Sequence, residues 1–129
     1  MLELNYIDLL GKGFKYNGRG PDEYDCYGLV KEIYHRIGVE LPEYASTDNC
    51  SLINQMIEQG KELFTKIEKP EPFCIVLFQI IPGYVSHIGV VLGDCIKFIH
   101  ISQGISVAVE RLDNKLWERR NRGYYKWIN

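Results

Sequence analysis

Near its start the chain carries Asp25-Cys26-Tyr27-Gly28-Leu29-Val30, and further on two histidines, His87 in "SHIG" and His100 in "FIHIS". These are the parts of a nucleophilic centre. A thiol attacks a carbonyl, one imidazole takes the thiol proton, and a further polar group holds that ring in one tautomer. Each residue alone is ordinary, so the chemistry depends on which elements carry them and whether those elements meet.

Asp25 is suited to cap a helix. Apolar residues fall at Leu29, Val30, Ile33, Tyr34 and Ile37 on one helical face, and Gly38 ends the pattern. Cys26 then becomes the first helical residue, where free amide protons and the positive end of the helix dipole favour a thiolate. The stretch "SHIGVVLGDCIKFIHIS" predicts two antiparallel strands around Gly93-Asp94, a dipeptide suited to a two-residue hairpin loop. That loop sets Leu92 opposite Cys95 and His87 directly opposite His100, with Cβ atoms about 4.5–5.5 Å apart. Gly89, Val91, Ile96 and Phe98 share the histidine face, while Ile88, Val90, Leu92, Lys97 and Ile99 point the other way. Gly89 beside His87 leaves a place where a helix terminus could approach. The bland alternative is two half-buried sheet histidines with routine hydrogen bonds. A one-residue error in the loop would turn His100 to the other face. His35, beside Arg36 on the polar side of the helix, reads as solvated.

The rest of the chain supplies the frame. Residues 3–10 suggest a short helix ending at Gly11 or Gly13, and "FKYNGRGPDEYD" reads as a loop. A second helix is expected over 51–60. Strands follow at 64–68, 74–80, 85–92, 96–101 and 105–109, then a short helix near 113–118 and a last strand near 122–127. Helices first and strands later mean an α+β fold, one domain over 1–129, with an antiparallel sheet covered by helices.

Composition narrows the function classes. The chain has 129 residues, 46% hydrophobic and 25% charged, with a net charge of −2, which suits a globular protein and offers no nucleic-acid footprint. No apolar run reaches the ~18 residues of a membrane span, so no membrane partner is expected. "MLELNYIDLL" carries an acid and no basic region, unlike a secretory signal, so the chain is expected to start in the cytoplasm or to leave it as part of something larger. Of the four cysteines, Cys74 and Cys95 adjoin apolar strand-like runs and read as small core residues. No C-x-x-C pair is present, so neither a metal nor a cofactor is expected.

The pieces "YDCYGLVKEIYHRIGVELP", "SHIGVVLGDCIKFIHIS" and Tyr16 in the loop before the cysteine resemble, in order, the NlpC-type (NlpC and p-sixty) cysteine peptidases of bacterial cell-wall metabolism. "DCYGLV", "LPEY" and the closing "RNRGYYKW" look closest to the branch encoded with phage tail genes. The resemblance implies a papain-like α+β fold with the cysteine helix packed on the sheet. It implies Cys26 as nucleophile, His87 as base and His100 as polar third member. Tyr16 would serve the oxyanion or the substrate, and Asp25 would help hold the free amine of a stem peptide. Ser86 falls in the S-H-x-G motif beside the base. Tyr27 stands where the family commonly has Ser, in the fit of the substrate's N-terminus, and Pro72-Phe73-Cys74 replaces the usual P-G-D. The implied reaction is hydrolysis of a peptidoglycan stem-peptide amide, between the D-glutamate side chain and the diamino acid. The implied partners are that stem peptide and phage tail proteins, since the sequence shows no wall-anchoring module to deliver it. Two alternatives stand beside this: a tail-assembly or structural protein with little turnover, and a thiolate acyltransferase or deamidase.

Overall fold

In the computed structural model, which describes residues 4–44, 49–60, 62–83 and 85–128 (the side chains of 49–52 excepted), Asp25 opens helix α1, Cys26–Arg36. Its carboxylate accepts the Gly28 amide at 2.6 Å, satisfying one of the donors that a helix start leaves free. At the other end Gly38 takes φ +90°, and the amides of Gly38 and Val39 return to His35 and Tyr34. Leu29, Val30, Ile33 and Tyr34 are buried along one stripe, as their spacing predicts.

Ahead of α1 the expected helix over 3–10 shrinks to a single 3-10 turn, Ile7–Leu9. Asn5 Oδ1 takes the Ile7 amide, and Gly11 donates to the Val107 carbonyl, so the chain is drawn to a strand edge before a second turn can form. Residue 3 lies outside the described residues. Two short strands, β1 (Gly13–Phe14) and β2 (Glu23–Tyr24), pair in parallel and bracket the loop before Cys26. Helix α2, Asn49–Gln59, starts two residues earlier than its apolar pattern suggests.

From Phe64 the chain builds the sheet: β3 (Phe64–Ile67), β4 (Ile75–Phe78), β5 (His87–Val91), β6 (Lys97–Ser102), β7 (Ile105–Arg111) and, after helix α3 (Lys115–Arg120), β8 (Asn121–Trp127). The strands lie in the order β3-β8-β4-β5-β6-β7 and every pairing is antiparallel. This is the α+β architecture that the order of elements predicts.

Both faces of the sheet are buried, so every residue of β4 and β5 is buried, His87 included. Ile75, Leu77, Ile88, Val90, Ile99 and Ile101 pack against α1 and α2. Cys74, Val76, Phe78, Val91 and Phe98 form a second core under Trp117 of α3. Cys74 is buried there as expected, whereas Cys95 is not a strand residue. It sits in the β5–β6 turn at φ +60° and is partly exposed. Cys26, Cys74 and Cys95 are free thiols, and the Cys50 side chain lies outside the described residues.

Candidate active site

The hairpin that carries the histidines closes differently from the two-residue loop. Asp94 Oδ1 accepts the amides of Ile96 (2.9 Å) and Lys97 (3.1 Å), and Leu92 bonds across to Lys97, so Gly93–Ile96 all belong to the turn. The register becomes Gly89↔His100, Val90↔Ile99 and Val91↔Phe98. His87 and His100 are therefore diagonal neighbours rather than directly opposed. A slip of two residues leaves the faces unchanged, so the rings still meet. Their centroids are 4.9 Å apart, and His87 Nε2 lies 2.7 Å from His100 Nδ1. Ile96 leaves the shared face and is exposed. The space above Gly89 holds no helix terminus: a Cβ there would meet Phe98 Cδ2 at 3.0 Å and the Ile99 carbonyl at 3.1 Å.

The pair is walled by aromatic rings. Trp117 stands 4.8 Å from His100 and 5.6 Å from His87, and Phe78 is 5.8 Å from His87. His87 is 1% exposed, and burial, with His100 and Arg120 adding to it, pulls its pKa down to about 3. Burial also lowers His100, against the pull of Glu110, whose carboxylate contacts His100 Nε2. Both shifts favour the uncharged rings.

Cys26 stands at the helix start as predicted, but its surroundings reverse the expected activation. It is fully buried in the α1 core, and desolvation, then the Asp25 charge, pushes its thiol well above the usual cysteine range. Burial outweighs the amide dipoles that favour a thiolate. Among the described residues no hydrogen bond joins Cys26 to His87. The structure brings the two histidines together.

The remaining predicted residues divide. Tyr16 and Ser86 line one cavity with His87, of about 800 Å³, whose wall also includes Trp117, Glu110 and Arg120. The Tyr16 hydroxyl donates to Gln103 at 3.1 Å, and Ser86 Oγ accepts the amides of Ile80 and Ile81, shaping the turn before β5. Asp25 and Tyr27 are not in that cavity. Asp25 is fully buried, its oxygens taking Gly28 N, Asn17 N and Arg19 Nη1, so no oxygen faces a substrate amine. Tyr27 is 1% exposed and donates to the Pro42 carbonyl at 2.6 Å, because its position turns it toward Tyr44 in the core. His35 is exposed and contacts Glu40, as a solvated residue does.

Two participants were missed. Glu110 and Trp117 come from β7 and α3, and only the pairing of β7 with β6 reveals them. Phe98 pairs with Glu110 and His100 with Ala108, so alternation puts Glu110 on the His100 face. Counting back from the Gln103-Gly104 turn would have missed it, because the turn pairs Ser102 with Ile105 and an irregularity between His100 and Ser102 shifts the register by one. Among the described residues no group of three or more His, Cys, Asp and Glu side chains is arranged to hold a metal ion. Among the described residues no helix is long and apolar enough to cross a membrane.

Known proteins share parts of this sequence and this fold. The sequence model of the NlpC/P60 family matches residues 11–126. The probable endopeptidase p60 of Listeria innocua is 28% identical over 85 residues, which is 66% of this chain and 16% of that protein. The p60 protein of Listeria monocytogenes is also 28% identical over 85 residues, 66% of this chain and 15% of its own length. The chain thus spans about a sixth of the curated relatives it matches. Among solved structures, an NlpC/P60 family protein from Bacillus cereus superimposes with a TM-score of 0.69 at 19% identity, covering 94% of this chain and 37% of that one. A lipoprotein-like NLP/P60 family protein from Staphylococcus aureus gives 0.66 at 19% identity, covering 94% and 38%. At such identities the likeness is one of fold.

Proposed function

Because the chain belongs to the NlpC/P60 family, we propose that it is a cysteine peptidase of the cell wall. It would cleave the stem-peptide amide between the D-glutamate side chain and the diamino acid. Cys26 is the nucleophile, His87 the base and His100 its partner. The observation that carries this reading is the histidine pair: His87 uses Nε2 on His100, and the residue lines a cavity large enough for a peptide. A neutral His87 is in the right form to accept a proton.

In this mechanism Cys26 Sγ bonds to the amide carbon as its proton passes to His87 Nδ1. The tetrahedral intermediate collapses with loss of the C–N bond, and His87 returns the proton to the leaving amine. Water, deprotonated by His87, then adds to the thioester, and its collapse frees the acid and restores the thiol. Tyr16, on the same cavity wall, is the proposed donor to the developing oxyanion. The stem peptide is the proposed substrate partner. The proposed association with phage tail proteins rests on "DCYGLV", "LPEY" and "RNRGYYKW" alone.

The buried thiol favours a second reading, an assembly protein that keeps the fold with little turnover. Defined stem peptides incubated with the protein and with Cys26→Ala, with products read by mass spectrometry, separate the two. Cleavage at the D-glutamyl bond by wild type alone is expected. Wild type that leaves every peptide intact, or a Cys26→Ala variant that still cleaves, overturns the peptidase reading.

A further inference from the structure

The hydrogen-bonded chain does not stop at His100. We propose that Glu110 is a positioning residue that gives the chain its direction: an acceptor-only carboxylate on His100 Nε2, it dictates which nitrogen of each ring carries the proton. Two contacts stand in series, Glu110 Oε2 to His100 Nε2 and His100 Nδ1 to His87 Nε2 at 2.7 Å, and they lead to His87 Nδ1. A carboxylate offers only lone pairs, so the proton between Glu110 and His100 belongs to Nε2. A neutral His100 then presents a lone pair at Nδ1. His87 Nε2, facing it, must carry the hydrogen, and His87 Nδ1 is left as the basic atom.

Without Glu110 the two rings can reverse together. His100 then carries its proton on Nδ1 and donates to His87 Nε2, His87 carries its own on Nδ1, and the base is disarmed. The hydrogen bond between the rings would look the same in either state. Its direction is decided at the far end, on β7, by a side chain that never touches the thiol. The side chain is placed for this. Glu110 lines the cavity with His87, is 36% exposed, and among the described residues its carboxylate pairs with His100 and with no Lys or Arg side chain. The other charged group facing the rings is Arg120 of α3, which lies over Trp117 at 5.1 Å.

This inference rests on the peptidase reading for its consequence but not for its test. Long-range ¹H–¹⁵N spectra of the imidazoles at pH 7.5 identify the protonated nitrogen of each ring directly. In wild type both His87 and His100 are expected in the Nε2–H form. Glu110→Gln keeps the size but adds an N–H₂ group that can face His100, so the reversed Nδ1–H forms should become populated. Glu110→Ala, with no group there, should give a mixture. Turnover on a stem peptide should fall about 10–100-fold in Glu110→Gln with KM little changed, the size of effect seen when a histidine loses its outer partner. Two results overturn the proposal: a wild-type His100 protonated on Nδ1, or Glu110 variants with wild-type tautomers. Unchanged kcat in a variant whose tautomers have reversed overturns it as well. If wild type cleaves no peptide, the spectra still decide the proton order, and the failure belongs to the peptidase reading.

Discussion

Acid should destabilise this protein through His87, by an amount that follows from where the ring sits. It is 1% exposed, bonded to His100 and walled by Phe78 and Trp117, and burial first, then His100 and Arg120, hold its pKa near 3. In the unfolded chain an imidazole titrates near about 6.5. Between those values the unfolded state binds a proton that the folded state does not. Stability is therefore fully present above about pH 6.5 and is lost as pH falls through that window toward 3. At pH 5 the unfolded ring is almost wholly protonated and the folded one scarcely so. At about 1.36 kcal/mol per pH unit, that is a loss of about 2 kcal/mol relative to pH 7.5. Urea unfolding of wild type and His87→Gln at pH 7.5, 6 and 5 isolates the effect, because other acid-sensitive groups are common to both. Wild type should lose about 2 kcal/mol more than the variant over this range. Parallel pH dependences in the two proteins would refute the reasoning, since His87 would then titrate alike folded and unfolded.

A Cβ on Gly28 would lie 2.0 Å from the Gly18 carbonyl oxygen, so Gly28→Ala must push the loop before Cys26 off the helix, at about 1–3 kcal/mol; thermal melting at wild-type temperature would contradict that close approach. Because Cys26 is fully buried with its thiol pushed up, iodoacetamide at pH 7.5 should label partly exposed Cys95 first in the folded protein and both alike in urea. Peptide mapping that finds Cys26 labelled first would show that the thiol is not covered.

How much of this was legible in the sequence depends on whether local signals agreed with what the whole fold required. For α1 they did: Asp25 as cap, a stripe of apolar side chains and Gly38 all pointed to the same helix. The histidine hairpin was half legible. Gly93-Asp94 signals a tight turn, but the Asp94 side chain captures two amides beyond it and lengthens the turn, which no dipeptide preference reveals. The faces survived only because the slip was even. For Cys26 the position along a helix was readable, and the depth to which that helix end is buried was not. Tyr27 and Asp25 turn out to be buried beside it for the same reason. Glu110 was hidden for another: one acid in "VAVER" is like any other until β7 is paired with β6.

The two faces of the sheet are covered very unequally. Helices of eleven residues each, α1 and α2, lie over one, while α3, six residues started by the Asn114 side chain, brings a single indole to the histidines on the other. Opening free energies differ across a protein according to how much each unit buries, and a one-residue lid belongs at the low end. The histidines therefore sit beneath a cover whose lifting does not require the rest of the molecule to unfold. How often they meet solvent is set by the docking of Trp117, and amide exchange along β4 and β5 would register that rate separately from the global stability. The molecule thus keeps two clocks, a slow one for the α1 core and a faster one for the face that carries the base.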